Sequence, residues 1–240
     1  MTSVDRFISN ISAAATVDQI VLALRDEVLN RGIEWTTYEM VVSSEGRQLP
    51  FYNTNFPNPF LEQYVEDKFT KDDVIIGHAM ERSRPFLWRD IHHNPHLTPA
   101  QRRVITAATA NKLRSGAMIP LHGPGIVRSY VSVGSQMPID RFTELFSAYR
   151  HELHLISAYA HERVVSLGVA QGTIWPSLSP RELEVLTWTA QGLSGWEISE
   201  KIKISSHTVK EHLDRARLKL GAKNKTHAAS IGIARGLIRL

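Results

Sequence analysis

Residues 178–238 read LSPRELEVLTWTAQGLSGWEISEKIKISSHTVKEHLDRARLKLGAKNKTHAASIGIARGLI. The run opens on a helix start with three agreeing signals. Ser179 caps, Pro180 fits the first helical position, and Glu182 reaches back to close a capping box. That helix carries Leu183, Leu186 and Ala190 on one face and stops at Gly192. Ser194 to Glu197 repeats the start, and a short helix to about Lys201 is expected to bury Trp196, Ile198 and Ile202. A third helix begins at Ser205 or Ser206 and ends before Gly221. Its Val209, Leu213, Ala216 and Leu220 share one apolar face. The opposite stripe is His207, Lys210, Glu211, Asp214 and Arg217. A fourth helix spans about Thr226 to Arg235.

A short helix, a tight connection and a longer helix with a polar outer face make the helix-turn-helix plan. A helix fits the major groove of B-DNA, where its polar stripe reaches base edges while its apolar stripe holds the scaffold. A plain four-helix bundle with solvated faces would show the same periodicity. Charge adds weight to the first alternative. Residues 178–240 hold 11 Lys and Arg against 6 Asp and Glu, a net +5, whereas the preceding residues are at −1. A basic piece joined to a near-neutral one suits a polyanion partner for the basic piece alone.

The same residues carry a family resemblance. The segment resembles the LuxR-type helix-turn-helix domain over its whole length, through Glu182, Leu186 and Gly192, through Thr208, Val209, Lys210 and His212, and through the run from Lys219 to Ala228. The resemblance implies double-stranded DNA as partner. It places Lys210, Glu211 and Asp214 toward the bases, with Arg217 and His207 on the same stripe. Lys210 suits guanine or a phosphate, and the two acids suit cytosine N4. Lys201, Lys203, Lys223 and Lys225 are then phosphate contacts, which position rather than specify. Asp214 stands where the family often has a basic or polar residue, which implies an unusual target sequence.

Working outward, residues 166–177 hold glycines, a proline and no charge, and are expected to link residues 178–240 to a domain over 1–165. In that domain, helical periodicity runs through Val4–Ala14, Val17–Asn30, Asn58–Lys68, Pro99–Lys112 and Ile139–Leu167. Strand patterns cover Trp35–Val42, Gln48–Asn53, Ala117–Leu121 and Ile126–Gly134, with turns at SSEGR and HGPG. Helices before and after an antiparallel run predict an α/β/α sandwich. The chain is thus expected to be α+β overall, with an all-α four-helix domain at the C-terminal end. Phe142, Phe146, Tyr149, Leu153, Ile156 and Ala160 form a heptad-like seam that suits packing on the sheet or a dimer contact.

The first domain resembles the acyl-homoserine-lactone-binding domain of quorum-sensing LuxR-type regulators, through FPNPFLEQYVEDKFTKDDV, PFLWRD and LRSGAMIPLHGPG. The family's Trp, Tyr, Asp, Pro, Trp and Gly fall on Phe60, Tyr64, Asp73, Val74, Trp88 and Gly116. The resemblance implies that Asp73 accepts the ligand amide N–H as a charge-assisted bond. It implies that Tyr64 and Trp88 wall the lactone end, and that Ser132 meets a carbonyl. By their residue types alone, Tyr64 and Trp88 suit core packing equally well, and Asp73 suits a helix N-cap. Two departures matter. Phe60 has no N–H to give the lactone carbonyl, and Phe56 stands where a tyrosine hydroxyl usually reaches the acyl side. Losing a bond to a buried carbonyl costs roughly 1–3 kcal/mol. Tyr52, Thr36 or Tyr38 is expected to replace the donor, or the ligand differs. An aryl or branched acyl group suits the more aromatic pocket.

Other chemistry is disfavoured. There is no cysteine, no signal-peptide core and no run of about 18–20 apolar residues that would span a membrane. A phosphorylated receiver would place paired acids after an early apolar strand, whereas residues 1–60 begin with two amphipathic helices. His92, His93 and His96 resemble a metal loop in spacing only, His151 and His154 are expected to face solvent, and neither a nucleophile elbow nor a phosphate loop is present. No metal, cofactor or enzymatic activity is expected. The expectation is a cytoplasmic homodimer that binds a small signal and an inverted-repeat operator, with RNA polymerase as a further partner. The alternative is a related regulator that answers a non-lactone signal or works without one.

Overall fold

The structure, a computed structural model, describes residues 2–44, 47–122, 128–170 and 178–238. The chain divides into two compact units, with the main boundary after Val164. In the first unit, α1 (Ser3–Ser12) and α2 (Val17–Asn30) each start on a threonine capping box. They precede strands β1 (Trp35–Ser44) and β2 (Arg47–Thr54). Next come α3 (Asn58–Glu66), α4 (Val74–Glu81), β3 (Phe86–Leu87), α5 (Arg89–His92) and α6 (Pro99–Ala110). Strands β4 (Ser115–His122) and β5 (Arg128–Ser135) and the long helix α7 (Ile139–Ala170) complete it. The turn expected at HGPG and the core of the expected linker, residues 171–177, lie outside the described residues. Residues 166–170 of that linker are the end of α7 instead, because SLGVA holds no proline and its one glycine, Gly168, costs a helix only about 1 kcal/mol.

The five strands form one sheet in the order β2-β1-β5-β4-β3, with β1–β5, β5–β4 and β4–β3 antiparallel. The strand pleat sends alternate side chains to opposite faces. Thr36, Tyr38 and Met40 point to one face and are buried. That face meets α7 through the Tyr38–His161 bond, and α7 is joined to the end of α2 by the Arg31–Glu152 ion pair at 2.7 Å. Arg163 of α7 also donates to the carbonyls of Ile11 and Ala14 at the end of α1. The seam residues Phe142, Phe146, Leu153, Ile156 and Ala160 are all buried within this unit, so the seam packs the protomer's own core. The opposite face meets α4, which contacts β4 and β5. The result is the expected α/β/α sandwich. Sequence periodicity missed α4, β3 and α5, which are short and lie between turn residues.

In the second unit, α8 (Pro180–Ala190), α9 (Gly195–Ile202), α10 (Ser206–Leu220) and α11 (Lys225–Ala234) form a helical domain. Ser179 with Glu182 and Ser194 with Glu197 close capping boxes, and Ser205 caps α10. Gly221 ends α10 at φ 67, a left-handed conformation that costs glycine little. Lys203, at φ 55, makes the tight turn between α9 and α10. Val185, Ile198 and Val209 form one buried cluster, and Leu186, Leu220, Ala228 and Ile238 belong to another.

Candidate signal site and DNA-binding surface

The signal-site residues gather on the α4 side of the sheet. Facing residues of adjacent antiparallel strands share a face, so the register defines rows. Trp35, Gly134 and Gly116 form one row, Thr37, Ser132 and Met118 the next, and Glu39, Tyr130 and Pro120 a third. A Cβ on Gly116 would sit 2.6 Å from three atoms of the Trp88 ring. One on Gly134 would first meet Leu113 Cδ2 at 2.8 Å, then the far edge of the same ring at 3.3 Å and Phe56 at 3.6 Å. Gly116 is therefore the seat on which the indole lies, and Gly134 clears room for its edge and for Leu113. Phe56, Phe60, Phe69, Trp88, Met118 and Tyr130 belong to one buried cluster, with Tyr64 packed against it. Phe60 meets Tyr64 edge-on at 5.5 Å between ring centroids.

Burial along β1 alternates. Thr36, Tyr38 and Met40 are buried, whereas Trp35, Thr37 and Glu39 keep part of their surface accessible. Tyr64 and Asp73 are likewise only partly covered. On β1, the partly accessible side chains are thus those of the face that carries the aromatic cluster.

Asp73 caps α4. Its Oδ1 accepts from the Ile75 and Ile76 N–H groups at 2.9 and 3.4 Å, and its Oδ2 accepts from the Tyr64 hydroxyl at 3.0 Å. Desolvation raises its pKa above the ordinary value against those three donors. Burial, with the Asp73 charge adding to it, pushes the Tyr64 hydroxyl far upward, so it remains a donor. Trp88 Nε1 is a buried N–H without a hydrogen-bond partner among the described residues. Glu39 accepts from the Tyr130 hydroxyl. Burial first, and the Asp73 charge last, raise its pKa while Tyr130 works the other way. Sequence reasoning missed Glu39 and Tyr130, although the alternation in Trp35-Thr36-Thr37-Tyr38-Glu39 carries the signal.

Two sequence expectations need correction. Tyr38 bonds His161 of α7 at 2.9 Å, and Thr36 shares its face, so neither reaches the Asp73 side. The pleat decides this, since both sit one residue out of phase with Glu39. The side chain of Tyr52 lies outside the described residues. Ser132, by contrast, is on the Asp73 side.

On the C-terminal unit, His207, Lys210, Glu211 and Asp214 are exposed along one side of α10, while Val209, Ala216 and Leu220 are buried. Glu211 lies 3.4 Å from both His207 and Arg215, which partly neutralise it. Arg217 is half-buried, donating to the Ala222 carbonyl at 3.2 Å and lying 3.6 Å from Asp214. It braces the end of α10. Lys203, Lys223 and Lys225 are exposed, and the Lys201 ammonium rests 4.2 Å from the centroid of Trp188. Trp196, expected inside, is 68% exposed, because its position on α9 is turned away from Ile198, the buried residue of that helix. Glu182 is 3% exposed and accepts from Lys219 at 2.7 Å, which ties α8 to α10.

Residues 17–164 match the autoinducer binding domain family, and residues 176–231 match the bacterial regulatory proteins, luxR family. The chain is 32% identical over 238 residues to the HTH-type quorum sensing-dependent transcriptional regulator RpaR of Rhodopseudomonas palustris, covering 98% of this chain and 96% of that protein. The chain belongs to the LuxR family. It is 30% identical over 185 residues to the transcriptional activator protein BjaR1 of Bradyrhizobium diazoefficiens, covering 76% of this chain and 74% of that one. In fold, this LuxR-family chain is similar to Escherichia coli SdiA, with TM-score 0.77, 21% identity and coverage of 99% and 98%. The structure of SdiA in complex with octanoyl-rac-glycerol gives 0.72, 21%, 98% and 94%. The chain is therefore a quorum-sensing transcription regulator with an autoinducer-binding domain for a small-molecule signal and a DNA-binding helix-turn-helix domain. Relatives of this kind are regulators, not enzymes. No helix among the described residues is long and apolar enough to cross a membrane. None of their His, Asp and Glu side chains are grouped as a metal site.

Proposed function

We propose that the signal is an acyl-homoserine lactone held between the Asp73 side of the sheet and α3–α4. The observation that carries this is the Asp73 carboxylate, aimed by Tyr64 and the α4 cap, beside the partly accessible side chains of β1. A carboxylate offers about four lone-pair positions, and three donors already use Asp73, so one position remains for an amide N–H. The Tyr64 bond and the helix cap fix its aim. The indole of Trp88, seated on Gly116, walls the ring end, and its unpartnered N–H supplies a donor that Phe60 lacks. A buried N–H left unpaired costs about 1–3 kcal/mol, which a ligand carbonyl would recover. Phe56 and Phe60 favour an aryl or branched acyl group over a polar one at their end of the site.

The regulator acts in this proposal as a cytoplasmic homodimer on an inverted repeat, with one α10 per half-site. Exposed Leu155 and Tyr159 on α7 are apolar surface suited to the second copy. RNA polymerase is the further partner, and the exposed indole of Trp196, beside the groove helix, suits a protein contact. Lys210 reads a base or phosphate, and the lysines at 201, 203, 223 and 225 hold the backbone.

Isothermal titration against a panel of straight-chain, branched and aryl lactones tests the signal. Binding of one class supports the proposal, and binding of none moves the protein to the non-lactone alternative. A gel shift over a range of salt concentrations tests the DNA arm, where loss of one phosphate contact lowers the salt slope by about one.

A further inference from the structure

The acyl half of the proposed ligand has a second carboxylate to face. Glu39 sits on β1, which lies inside the sheet between β2 and β5, and it points to the same face as Ser132 and Trp35. Rows two residues apart along a strand are separated by about 7 Å. The Trp88 indole covers the Gly116–Gly134 row, Ser132 marks the next, and Glu39 with Tyr130 marks the third. A ligand with its ring under Trp88 and a carbonyl at Ser132 therefore brings its acyl group to Glu39.

A hydrocarbon chain would be badly served there. Covering a carboxylate with apolar atoms removes water without replacing its hydrogen bonds, which is costly. Tyr130 is the one hydrogen-bond partner of Glu39 among the described residues, and it engages Oε2. The remaining acceptor positions belong to a side chain that keeps accessible surface. The electrostatics of the pair extend to Asp73, whose charge acts on both Glu39 and Tyr130. The site thus presents two carboxylates close enough for one charge to act on the other, where recognition of the ligand amide needs only one.

We propose that Glu39, held by Tyr130, selects an acyl group carrying a hydrogen-bond donor, a hydroxyl or phenol, about 7 Å beyond the acyl carbonyl. This rests on the lactone proposal above. It assigns Glu39 as a specificity residue: Asp73 anchors any acyl-homoserine lactone, and Glu39 distinguishes acyl groups by penalising those without a donor.

The test uses the full chain and two probes that differ by one hydroxyl, N-(3-phenylpropanoyl)- and N-[3-(4-hydroxyphenyl)propanoyl]-L-homoserine lactone, in calorimetric titrations. The wild type should bind the phenol at least tenfold tighter. Glu39→Leu should erase or reverse that preference, and Glu39→Gln, which keeps the shape but weakens the acceptor, should reduce it. Tyr130→Phe should keep part of it, because the carboxylate stays in place but loses the hydroxyl that holds it. Equal binding of both probes by the wild type overturns the assignment, as does a preference that survives in Glu39→Leu, or in Glu39→Gln at full size should the leucine variant not fold. Binding of a straight-chain lactone but of neither probe also removes Glu39 from this role while leaving the lactone proposal standing. Failure of every lactone overturns both.

Discussion

Replacing Gly116 with alanine drives a methyl group into the indole of Trp88. The new Cβ would lie 2.6 Å from Cδ2, Cε2 and Cε3 of that ring, against ordinary carbon contacts of about 3.5–4.0 Å. The ring must retreat by about 1 Å. It is 7% exposed and meets Phe56 edge-on, so it has little room to do so. Overpacking of this kind costs about 1–3 kcal/mol, which for a unit of this size lowers the melting temperature by about 2–12 °C. Because the same ring walls the proposed signal site, affinity for the signal should fall about tenfold or more, or about 1.4 kcal/mol. Gly77→Ala is the matched control. It lies in α4 with nothing within 4 Å of its Cβ position, so helix propensity should stabilise it by about 0.5–1 kcal/mol. Differential scanning fluorimetry with and without signal, followed by titration, reads both effects. A Gly116→Ala protein that melts within a degree of wild type and binds signal equally would refute the seating of Trp88 on that glycine.

Other consequences follow from the charges. Burial works against the Glu182 carboxyl, but Lys219 and the Ser179 N–H outweigh it and hold its pKa below the ordinary 4.5. Glu182→Gln should therefore cost the C-terminal domain about 1 kcal/mol at neutral pH, since glutamine can still close the capping box and Lys219 is partly exposed, as urea denaturation would measure. The wild-type advantage should be full above pH 4.5 and vanish as the pH falls through the lowered value. Asp73 runs the other way. Its raised pKa means that the unliganded N-terminal unit is relatively stabilised below pH 3.8 and loses that contribution as the pH rises through the folded value. Asp73→Asn should flatten that part of the curve of melting temperature against pH. On the DNA arm, Lys210→Ala should weaken operator binding in a gel shift by about 1–3 kcal/mol if it reads guanine. Arg217→Ala should instead lower the melting temperature of the C-terminal domain, since that guanidinium caps the α10 carboxyl end.

Much of the DNA-binding half is legible because its signals are local. A capping serine, a glutamate three residues on and a terminating glycine are set by backbone hydrogen bonds within one turn, and the helix starts and stops at Ser179, Ser194, Ser205 and Gly221 follow directly. Trp196 is the exception. Size and apolarity argue for burial, yet on a helix as short as α9 a step of two residues from Ile198 turns the side chain about 200° around the axis. Which face is inside is then decided by packing partners far along the chain. Similarly, the seam on α7 is visible as periodicity, but only the sheet beneath it settles that it faces inward.

The signal site is less legible for a related reason. Its members come from β1, α3, α4, the α5 start, β4 and β5, and a strand residue belongs to it or not by the parity of its position. Thr36 and Tyr38 have suitable hydroxyls and the wrong parity, while Glu39, one step on, has the right one. Donor chemistry is redistributed across the same face. Phe56 and Phe60 carry none, the N–H of Trp88, at the family's own tryptophan position, is without a partner among the described residues, and the Tyr130–Glu39 pair adds polar groups outside the six motif positions. Two phenylalanines in place of donors would by themselves argue for a weaker site. Taken with the Tyr130–Glu39 pair, they describe a face whose polar groups have moved along the sheet, which in the proposed lactone complex shifts recognition from the lactone ring toward the acyl group. That is the portion of an acyl-homoserine lactone that differs from one signal to another, and a regulator that discriminates there gains selectivity without altering the Asp73 anchor.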